Sequence, residues 1–504
     1  DGQPGIPDTE IGQTMKQDKD FITRRTFLGR SVQAAMGSLA APWMINLAAM
    51  GEAAAFSASD YKALVCVFFF GGNDYANTVV NFDDASYAKY LAIRAAGAGS
   101  NTSPVVMQKT DLAATELRPT VPLPGGRKYA LHPDMTRLAG LFNSGNAAVQ
   151  LNIGPLIVPL TRAQYNLKNF RNYPIPAKLF SHNDQQSTWQ SFTPEGATLG
   201  WGGKIGDLAI GNNTDPLFTS ISVTGNNVFL SGVAARQYQV SSTGSAVLVD
   251  AAMSTNSFFG TAEMRNAFTS MLQQPRTHVL ENEYNLTMRN SMTAATRINT
   301  GFSTVNLTTA FPTTSLGRQL RTVARLIGAR NTLGAKRQVF MVSLGGFDLH
   351  DYLGTRHAPL LQQVDQAMAA FYQATVELGV ANQVTAFTAS DFGRTLSING
   401  NGSDHGWGSH HFVLGGAVQG AAFYGKPPPV SITNTSSPDD QWHVGNGRLL
   451  PSTSVDQFAA TLARWFGVSD SELTTLLPNL RNFGVAGGRP DYPANLGFLG
   501  GPII

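Results

Sequence analysis

Cysteine is almost absent from this sequence, which has one, Cys66, among 504 residues. A single thiol cannot form a disulfide within the chain, so no disulfide framework supports the fold. Cys66 lies in the apolar run from Ala63 to Phe70, which predicts a buried strand residue and not a reactive thiol. Charge is also scarce, because Asp, Glu, Lys and Arg make up 14% of the residues against about 25% in an average soluble protein. This composition excludes a disordered or strongly charged chain.

The few charges almost cancel, giving a formal net charge of +3 at pH 7. Nucleic-acid binding needs Lys and Arg clustered in a basic stripe, and without one nucleic acid is excluded as a partner. The sequence has no Walker motif, and the Gly-Gly pair after the first predicted strand does not form the GxGxxG pattern. Nucleotide and redox-cofactor chemistry therefore have no support. Glycine, with 51 residues, is abundant and predicts many tight turns.

Residues 1–58 predict an N-terminal extension with an export signal. Thr23-Arg24-Arg25-Thr26-Phe27-Leu28-Gly29 is followed by a stretch from Ser31 to Ala55 that contains no Lys or Arg and ends in small residues. This combination is typical of a twin-arginine signal peptide. It predicts a periplasmic or extracellular protein whose mature chain begins near Phe56 and has no stable membrane span. Glycine and proline within the stretch make a retained membrane anchor the weaker alternative.

From residue 59 onward, strand and helix patterns alternate, which predicts one large α/β domain over residues 59–504. Continuous apolar runs indicate strands buried on both faces of a parallel sheet. The predicted strands are 61–70, 147–153, 338–344, 383–389 and 412–414, and the main predicted helices are 133–142 and 358–378. Right-handed crossovers place such strands in one mostly parallel sheet sandwiched by helices. Residues 92–128 and 257–300 are predicted insertions, the second forming two helices separated at Pro275.

Polar motifs follow three of the predicted strands, at the edge where open α/β sheets bind ligands. They are Gly71-Gly72-Asn73-Asp74, Gly345-Gly346-Phe347-Asp348-Leu349-His350 and Ser390-Asp391-Phe392-Gly393-Arg394-Thr395. A fourth motif, Asp404-His405-Gly406-Trp407-Gly408-Ser409-His410-His411, precedes the strand at 412–414. Carboxylates and imidazoles without cysteine are ligand types for Zn²⁺, Mn²⁺, Ca²⁺ or Mg²⁺. The motifs therefore predict a divalent-metal site at one edge of the sheet, with the identity of the ion left open.

Each of these residues also has a structural explanation. Asp74 after a Gly-Gly turn suits a helix cap or a turn contact, and Asp391 with Arg394 suits a local ion pair. His410 and His411 would point to opposite faces of a strand, so at most one of them faces the site. The histidines without such a context are predicted to be structural: His132, His278, His357 and His443.

Ser181-His182-Asn183-Asp184 precedes a helical run that ends at Ser191. A serine followed three residues later by an acid predicts a helix N-cap at Ser181. The same position suits an anion, because the first N–H groups of a helix have no partner within the helix. A serine close to a metal can also act as a nucleophile. The cap and the nucleophile are compatible, so both interpretations stay open.

Together these motifs resemble the bacterial DUF1501 family, whose members carry twin-arginine signals and are grouped with the alkaline phosphatase and sulfatase superfamily. The resemblance rests on GGND, SHND followed by Gly200-Trp201-Gly202, GGFDLH, SDFGRT and Ser403–Gly420, and covers about residues 60–425. It implies an alkaline-phosphatase-like fold more securely than it implies an activity. It also implies a set of metal ligands: Asp74, Asp348, His350, Asp391 and His405.

The resemblance further implies Ser181 as the nucleophile, with Thr78 as the alternative. One position departs from the superfamily pattern, because phosphatases have Asp-His where this chain has Asp391-Phe392. That departure removes one nitrogen ligand from a two-metal site. The missing nitrogen can come from one of three other histidines: His182, His410 or His411.

Two functions follow from these observations. The first is an exported, metal-dependent hydrolase of phosphate or sulfate esters, in which Zn, Mn or Ca is held at the site. In it Ser181 attacks a small anionic ester substrate and Arg394 steadies the anionic group. The alternative is a non-catalytic protein that retains the fold and binds a surface partner or an assembly. Low charge, long loops rich in Gly, Ser and Asn, and the missing histidine favour this alternative.

Overall fold

The computed structural model describes residues 57–96, 105–243 and 262–501. The predicted export signal and the cleavage point near Phe56 lie outside these residues, as do residues 97–104 and 257–261 of the predicted insertions. The chain from Ala55 onward forms one compact unit. Within the described ranges, no helix combines the length and the apolar character needed to cross a lipid bilayer.

A nine-stranded, mostly parallel sheet lies at the centre of the fold. In chain order the strands of the described residues are β1 (Lys62–Phe70), β2 (Val79–Asn81), β3 (Tyr129–Leu131), β4 (Ala147–Gly154), β5 (Ser220–Ser222), β6 (Tyr238–Gln239), β7 (Arg337–Gly345), β8 (Val384–Ser390), β9 (Ser409–Leu414), β10 (Ala422–Tyr424) and β11 (Thr453–Ser454). Across the sheet the order is β10-β4-β9-β8-β1-β7-β5-β6, with β11 beside β4. Only β9 runs antiparallel to its neighbours in this described sheet, and β2 and β3 form a separate antiparallel pair. The predicted parallel sheet is confirmed.

Helices connect the strands and cover both faces of the sheet. In chain order the described α-helices are α1 (Tyr75–Thr78), α2 (Asp84–Ala96), α3 (Lys109–Leu112), α4 (Thr136–Asn143), α5 (Arg162–Asn166), α6 (His182–Ser191), α7 (Trp201–Ala209), α8 (Ala262–Gln273), α9 (Val279–Ser303), α10 (Ser315–Gly328), α11 (Arg330–Leu333), α12 (Leu353–Glu377), α13 (Val455–Phe466) and α14 (Asp470–Leu476). Pro275 lies between α8 and α9, as predicted, because proline lacks a backbone donor and disfavours the helix interior.

Strand β1 shows why the sheet is buried on both faces. Its odd-numbered residues from Ala63 to Phe69 enter one hydrophobic core, and its even-numbered residues from Leu64 to Phe68 enter a second. Successive side chains of a strand point to opposite faces, so an unbroken apolar run requires two cores. Helices α4, α10 and α12 pack into the first core, and α7 and α13 pack into the second. Each large apolar side chain buried in this way contributes about 1.5 to 3 kcal/mol.

Three neighbouring strands end together at one edge of the sheet. Phe70 of β1 is in register with Gly345 of β7, and Phe69 of β1 is in register with Ser390 of β8. Because β1, β7 and β8 are parallel, the polar motifs that follow them emerge side by side. This edge holds the candidate site.

Candidate metal centre

Glycine permits the close approach of the first two motifs at this edge. Gly71 has a φ of +115°, a conformation that side chains with a Cβ rarely adopt. A Cβ at Gly71 would lie 2.3 Å from the backbone nitrogen of Asp348. The turn after β1 therefore packs directly against the turn after β7, and any larger residue at position 71 would push Asp348 away.

Asp348 is the centre of the site, and three imidazoles face it. Asp348 Oδ1 lies 3.0 Å from His350 Nε2 and 3.2 Å from His405 Nε2, and Oδ2 lies 3.2 Å from His182 Nε2. The Asp348 side chain is 42% exposed, so the site is open to solvent. We call His182, Asp348, His350 and His405 the histidine cluster. It unites three predicted ligands with His182, which the sequence offered only as a replacement.

Outer contacts fix two of the rings. His405 Nδ1 lies 2.7 Å from the carbonyl oxygen of Phe180, and since a carbonyl only accepts, Nδ1 donates. His182 Nδ1 lies 2.7 Å from Asp391 Oδ2 and donates to that carboxylate. In a neutral imidazole with its proton on Nδ1, the Nε2 lone pair is left for a metal. Both rings therefore present ligand atoms toward Asp348.

Asp391 contacts the histidine cluster through the ring of His182. Its side chain is fully buried, and Oδ2 accepts hydrogen bonds from the Gly71 backbone nitrogen at 3.1 Å and from Gln186 Nε2 at 2.8 Å, in addition to His182. The predicted ion pair between Asp391 and Arg394 is not seen among these contacts. Asp391 was predicted as a ligand, and the structure places its Oδ2 behind the His182 ring.

The surroundings of the histidine cluster shift the pKa values of three of its members. The hydrogen bond to Asp391 raises the pKa of His182 above its ordinary value. Burial alone would raise the pKa of Asp348, but the hydrogen bond and the charge of Arg394 hold it below the usual range. Burial lowers the pKa of His405, so this ring is a neutral nitrogen donor at neutral pH. Metal binding needs neutral imidazoles and an ionised carboxylate, and Asp348 and His405 meet that requirement without a partner ion.

The donor set fits one divalent metal ion. One nitrogen or oxygen from each of His182, Asp348 and His405 lies within 4.8 Å of the others. His182 Nε2 makes no hydrogen bond within the described structure, so its lone pair is available to an ion. Three imidazoles and a carboxylate suit Zn²⁺ or Mn²⁺, whereas Ca²⁺ takes oxygen ligands. These are general ligand preferences, and the identity of the ion stays a prediction.

Asp74 is a correction to the predicted ligand set. Both of its carboxylate oxygens accept from Arg94, at 2.7 and 2.8 Å, and both side chains are buried. Asp74 Oδ1 also accepts from the backbone nitrogen of Ala76 and caps α1. Although burial raises the pKa of Asp74, the charge of Arg94 holds it below the usual range. The structural alternative for this residue, a helix cap, is the arrangement found.

Arg394 also differs from its predicted role as an anion-binding group. Its side chain is fully buried. Nη1 donates to Asp348 Oδ1 at 2.6 Å and to the Gly71 carbonyl at 3.1 Å, and the remaining nitrogens donate to the hydroxyl and carbonyl oxygens of Ser403. A guanidinium enclosed by these contacts positions Asp348 and leaves no donor directed at a substrate in solvent.

Ser181 occupies the predicted N-cap position of α6. Its hydroxyl donates to Asp184 Oδ2 at 2.8 Å, and His182, the next residue, carries the side chain that enters the cluster. Thr78, the alternative nucleophile, is buried, donates to the Asp74 carbonyl and accepts from Asn73 Nδ2. Neither hydroxyl makes a hydrogen bond to the histidine cluster.

The remaining histidines of the fourth motif lie in the sheet. His410 Nδ1 accepts from the backbone nitrogen of Asn152 at 3.0 Å, and His411 Nδ1 lies 3.1 Å from Thr388 Oγ1. Burial lowers the pKa of both rings to about 3. Of the three predicted replacements for the missing nitrogen, His182 is the one the structure brings to Asp348.

These observations define a class: an α/β protein with a mostly parallel sheet and, at the carboxyl edge, a candidate centre for one divalent metal ion. The chain belongs to the family described as Protein of unknown function (DUF1501), whose sequence model matches residues 61–479. This match confirms the resemblance to the DUF1501 family. No curated protein matches the sequence.

Two solved structures are similar to this chain at low identity. The lipoteichoic acid synthase LtaP from Listeria monocytogenes is 10% identical with a TM-score of 0.31, and the match covers 82% of this chain and 74% of LtaP. Ps i-CgsB, solved in complex with k-i-k-neocarrahexaose, is 12% identical with a TM-score of 0.32, and the match covers 83% of this chain and 74% of Ps i-CgsB. Similarities this weak do not establish a shared activity.

Proposed function

We propose that this protein is an exported, metal-dependent hydrolase of phosphate or sulfate esters. The observation that carries the proposal is the convergence of three imidazole Nε2 atoms on the exposed carboxylate of Asp348. Carbonyl and carboxylate acceptors behind the rings of His405 and His182 support it, because metal-binding histidines have such partners. In this proposal His182, Asp348, His350 and His405 hold the ion.

When bound, a divalent ion at such a site polarises a phosphoryl or sulfuryl oxygen and lowers the pKa of coordinated water. The chain's own residues prepare this chemistry. Asp391 holds the proton on His182 Nδ1 and so keeps Nε2 available. Arg394 fixes the orientation of Asp348 through Oδ1. Because the Asp348 side chain is 42% exposed, a small anionic ester can approach the cluster from solvent.

The attacking group is the second part of the proposal. Ser181 adjoins His182 at the start of α6, where free backbone N–H groups favour an anionic substrate. Its hydroxyl donates to Asp184, which would take the proton as the Ser181 oxygen bonds to the phosphorus or sulfur atom. The bond from that atom to the ester oxygen would break, and the alcohol would leave with a proton from solvent. Water would then hydrolyse the seryl ester, releasing phosphate or sulfate and restoring Ser181. The export signal at Arg24-Arg25 supports a periplasmic or extracellular location.

The test uses Asp348→Asn in the full chain, loaded with Zn²⁺ or Mn²⁺. Asparagine keeps the size of the side chain and removes the anionic ligand. We expect bound metal to fall below stoichiometry and turnover of an aryl phosphate or aryl sulfate to fall by more than about 100-fold, since losing a ligand exceeds the 10- to 100-fold effect of losing an outer partner. Elemental analysis and initial rates measure the two quantities.

Asp351→Asn is the matched control. Asp351 lies three residues further along the chain, is exposed, and pairs with Arg356 at 2.9 Å. Metal content and turnover should equal those of the wild type in this control. Full metal content together with undiminished turnover in Asp348→Asn would refute the assignment. In parallel, Ser181→Ala should abolish turnover with metal content unchanged if Ser181 is the nucleophile.

A second candidate function has one observation in its favour. Of the two predicted catalytic residues, Arg394 is fully buried and holds Asp348 from inside the protein, and the hydroxyl of Ser181 donates to Asp184. This arrangement favours a metal-binding surface or assembly protein without turnover. Stoichiometric metal in the wild type with no hydrolysis across aryl phosphates and sulfates would support this second function over the first.

A further inference from the structure

A cavity of about 280 Å³ opens beside helix α6, and carboxamide side chains dominate its walls. We call it the amide cavity. Five carboxamides line it: Asn183, Gln186, Gln190, Asn226 and Asn227. The rest of the wall includes the ring of Phe70 and the carboxylate of Glu195. Its volume is just below the range of about 300 to 1,000 Å³ that is usual for drug-sized ligands, which suits a single small ring.

The amide cavity adjoins the histidine cluster. Gln186, which lines the cavity, donates through Nε2 to Asp391, the residue that holds His182. Asn183 follows His182 directly on α6, and Phe70 ends β1 just before Gly71. Gln186 therefore connects the wall of the cavity to the residue that holds His182.

Existing hydrogen bonds determine which amide atoms face a ligand. Gln190 Oε1 accepts from the Phe229 backbone nitrogen at 3.0 Å, so its NH₂ group is the part left for the cavity. Asn226 Oδ1 accepts from Gln237 Nε2 and from Gln239 Nε2, which again leaves an NH₂ group. Gln186 donates through Nε2 and so keeps Oε1 as an acceptor. The cavity thus offers both donors and acceptors.

The charge of the lining selects against a second anion. Among the described residues that line the cavity there is no Lys, Arg or His, and Glu195 contributes a negative charge. Neutral amides that donate and accept match hydroxyl groups, which also do both. The ring of Phe70, half-buried at the end of β1 and part of the cavity wall, suits the apolar C–H face of a sugar ring.

We infer that the amide cavity binds a neutral, hydroxyl-rich ring of a carbohydrate beside the histidine cluster. The inference rests on the proposed function for its catalytic meaning, since it makes the substrate a phosphate or sulfate ester of a carbohydrate. The cluster receives the ester group, and the amide cavity receives the neighbouring sugar unit. Sugar binding itself does not require the metal.

The test measures binding without turnover. Neutral hexasaccharides of glucose, mannose, galactose and N-acetylglucosamine are titrated into the full chain by isothermal calorimetry. The variant combines Asn183→Ala with Asn226→Ala, because both side chains are exposed and their loss leaves the core intact. We expect at least one hexasaccharide to bind the wild type, and the double variant to bind it about tenfold more weakly, as two lost hydrogen bonds predict.

Asn331→Ala is the matched control, since Asn331 is exposed in α11, which precedes the opposite end of β7. It should bind the hexasaccharide as the wild type does. Failure of all four sugars to bind, or equal binding by the double variant, would overturn the inference.

Asp348→Asn separates this inference from the proposed function. The variant should keep its affinity for the hexasaccharide while losing metal and ester hydrolysis. Sugar binding without ester hydrolysis in the wild type would refute the hydrolase and leave the sugar site standing. Hydrolysis of aryl esters without sugar binding would refute the sugar site alone.

Discussion

Two turns with nearly the same sequence follow neighbouring strands, but their carboxylates have different surroundings. Gly71-Gly72-Asn73-Asp74 follows β1, and Gly345-Gly346-Phe347-Asp348 follows β7, its parallel partner. Asp74 is 1% exposed and is paired with Arg94, whereas Asp348 is 42% exposed and faces three imidazoles. The comparison shows that the turn after a strand supplies the carboxylate. Residues distant in sequence determine whether that carboxylate is buried in an ion pair or exposed beside imidazoles.

The chemistry of the partner explains the two outcomes. A guanidinium has five donors and no lone pair, so it occupies both oxygens of Asp74 and cannot join it in binding a cation. Imidazoles offer lone pairs and can share a cation with Asp348. Asp348 also contacts a guanidinium, that of Arg394, but only through Oδ1. The first turn is therefore structural and the second is available for chemistry.

The strongest way to break this comparison is Arg94→Ala. The substitution leaves the carboxylate of Asp74 buried without its countercharge, and removing one partner of a buried pair costs about 3 to 5 kcal/mol. We expect the free energy of unfolding to fall by that amount. Urea unfolding of the full chain, followed by circular dichroism, measures it.

Arg356→Ala is the control for that prediction. Arg356 forms an exposed pair with Asp351, and exposed pairs contribute about 0 to 1 kcal/mol. A loss of stability in Arg94→Ala no larger than in Arg356→Ala would show that the Asp74–Arg94 pair is not structural. The contrast between the two turns would then fail.

The sequence predicts much of the central fold because the signal is local. The apolar runs of β1, β4, β7 and β8 are long enough to be buried on both faces wherever they lie in the sheet. Strands β5, β6 and β11 contain two or three residues and have no such signal. They exist because a longer neighbour offers backbone groups to pair with, which only the folded chain provides.

The candidate site was predicted in part for the same reason. Asp348, His350 and His405 follow strand ends or precede a strand, so parallel topology brings them together. Asp74 has the same local signal, and its partner Arg94 lies in helix α2, inside the segment that the sequence indicated only as an insertion. Nothing local distinguishes Asp74 from Asp348, so the misassignment could be corrected only from tertiary contacts.

His182 was harder to predict than the other members of the cluster. The motif at the start of α6 points to Ser181, because serine is a common cap and nucleophile. Which of the two side chains enters the site depends on the direction in which the helix begins. The contact between His182 and Asp391, 209 residues apart in sequence, fixes that direction.

A second prediction removes an outer contact of the histidine cluster and leaves its metal ligands in place. Asp391→Asn removes the charge that holds the proton on His182 Nδ1. Loss of such an outer partner lowers metal affinity by about 10- to 100-fold. Competition with a chelator of known affinity measures the change for Zn²⁺.

Asp365→Asn is the matched control, because Asp365 is also buried and accepts a backbone hydrogen bond, from Leu138, in the helical layer. Its Zn²⁺ affinity should equal that of the wild type. If Asp391→Asn also binds Zn²⁺ as the wild type does, His182 is not held by Asp391 for metal binding, and the cluster loses one of its members.

The last prediction separates the two turns by pH. His357 Nε2 lies 2.9 Å from Asn73 Oδ1 in the first turn, and burial lowers the pKa of His357 to about 3 from about 6.5 in the unfolded chain. The folded state then binds fewer protons than the unfolded state between these values, so stability falls as the pH drops through this window, by at most about 1.4 kcal/mol per pH unit for this group. His357→Gln should make the decline shallower in urea unfolding between pH 6.5 and 4, and Gln362→Ala, on an exposed position of α12, should reproduce the wild-type slope. An unchanged slope in His357→Gln would show that protonation of His357 does not lower the free energy of unfolding. The first turn would then tolerate a positive charge as the second does.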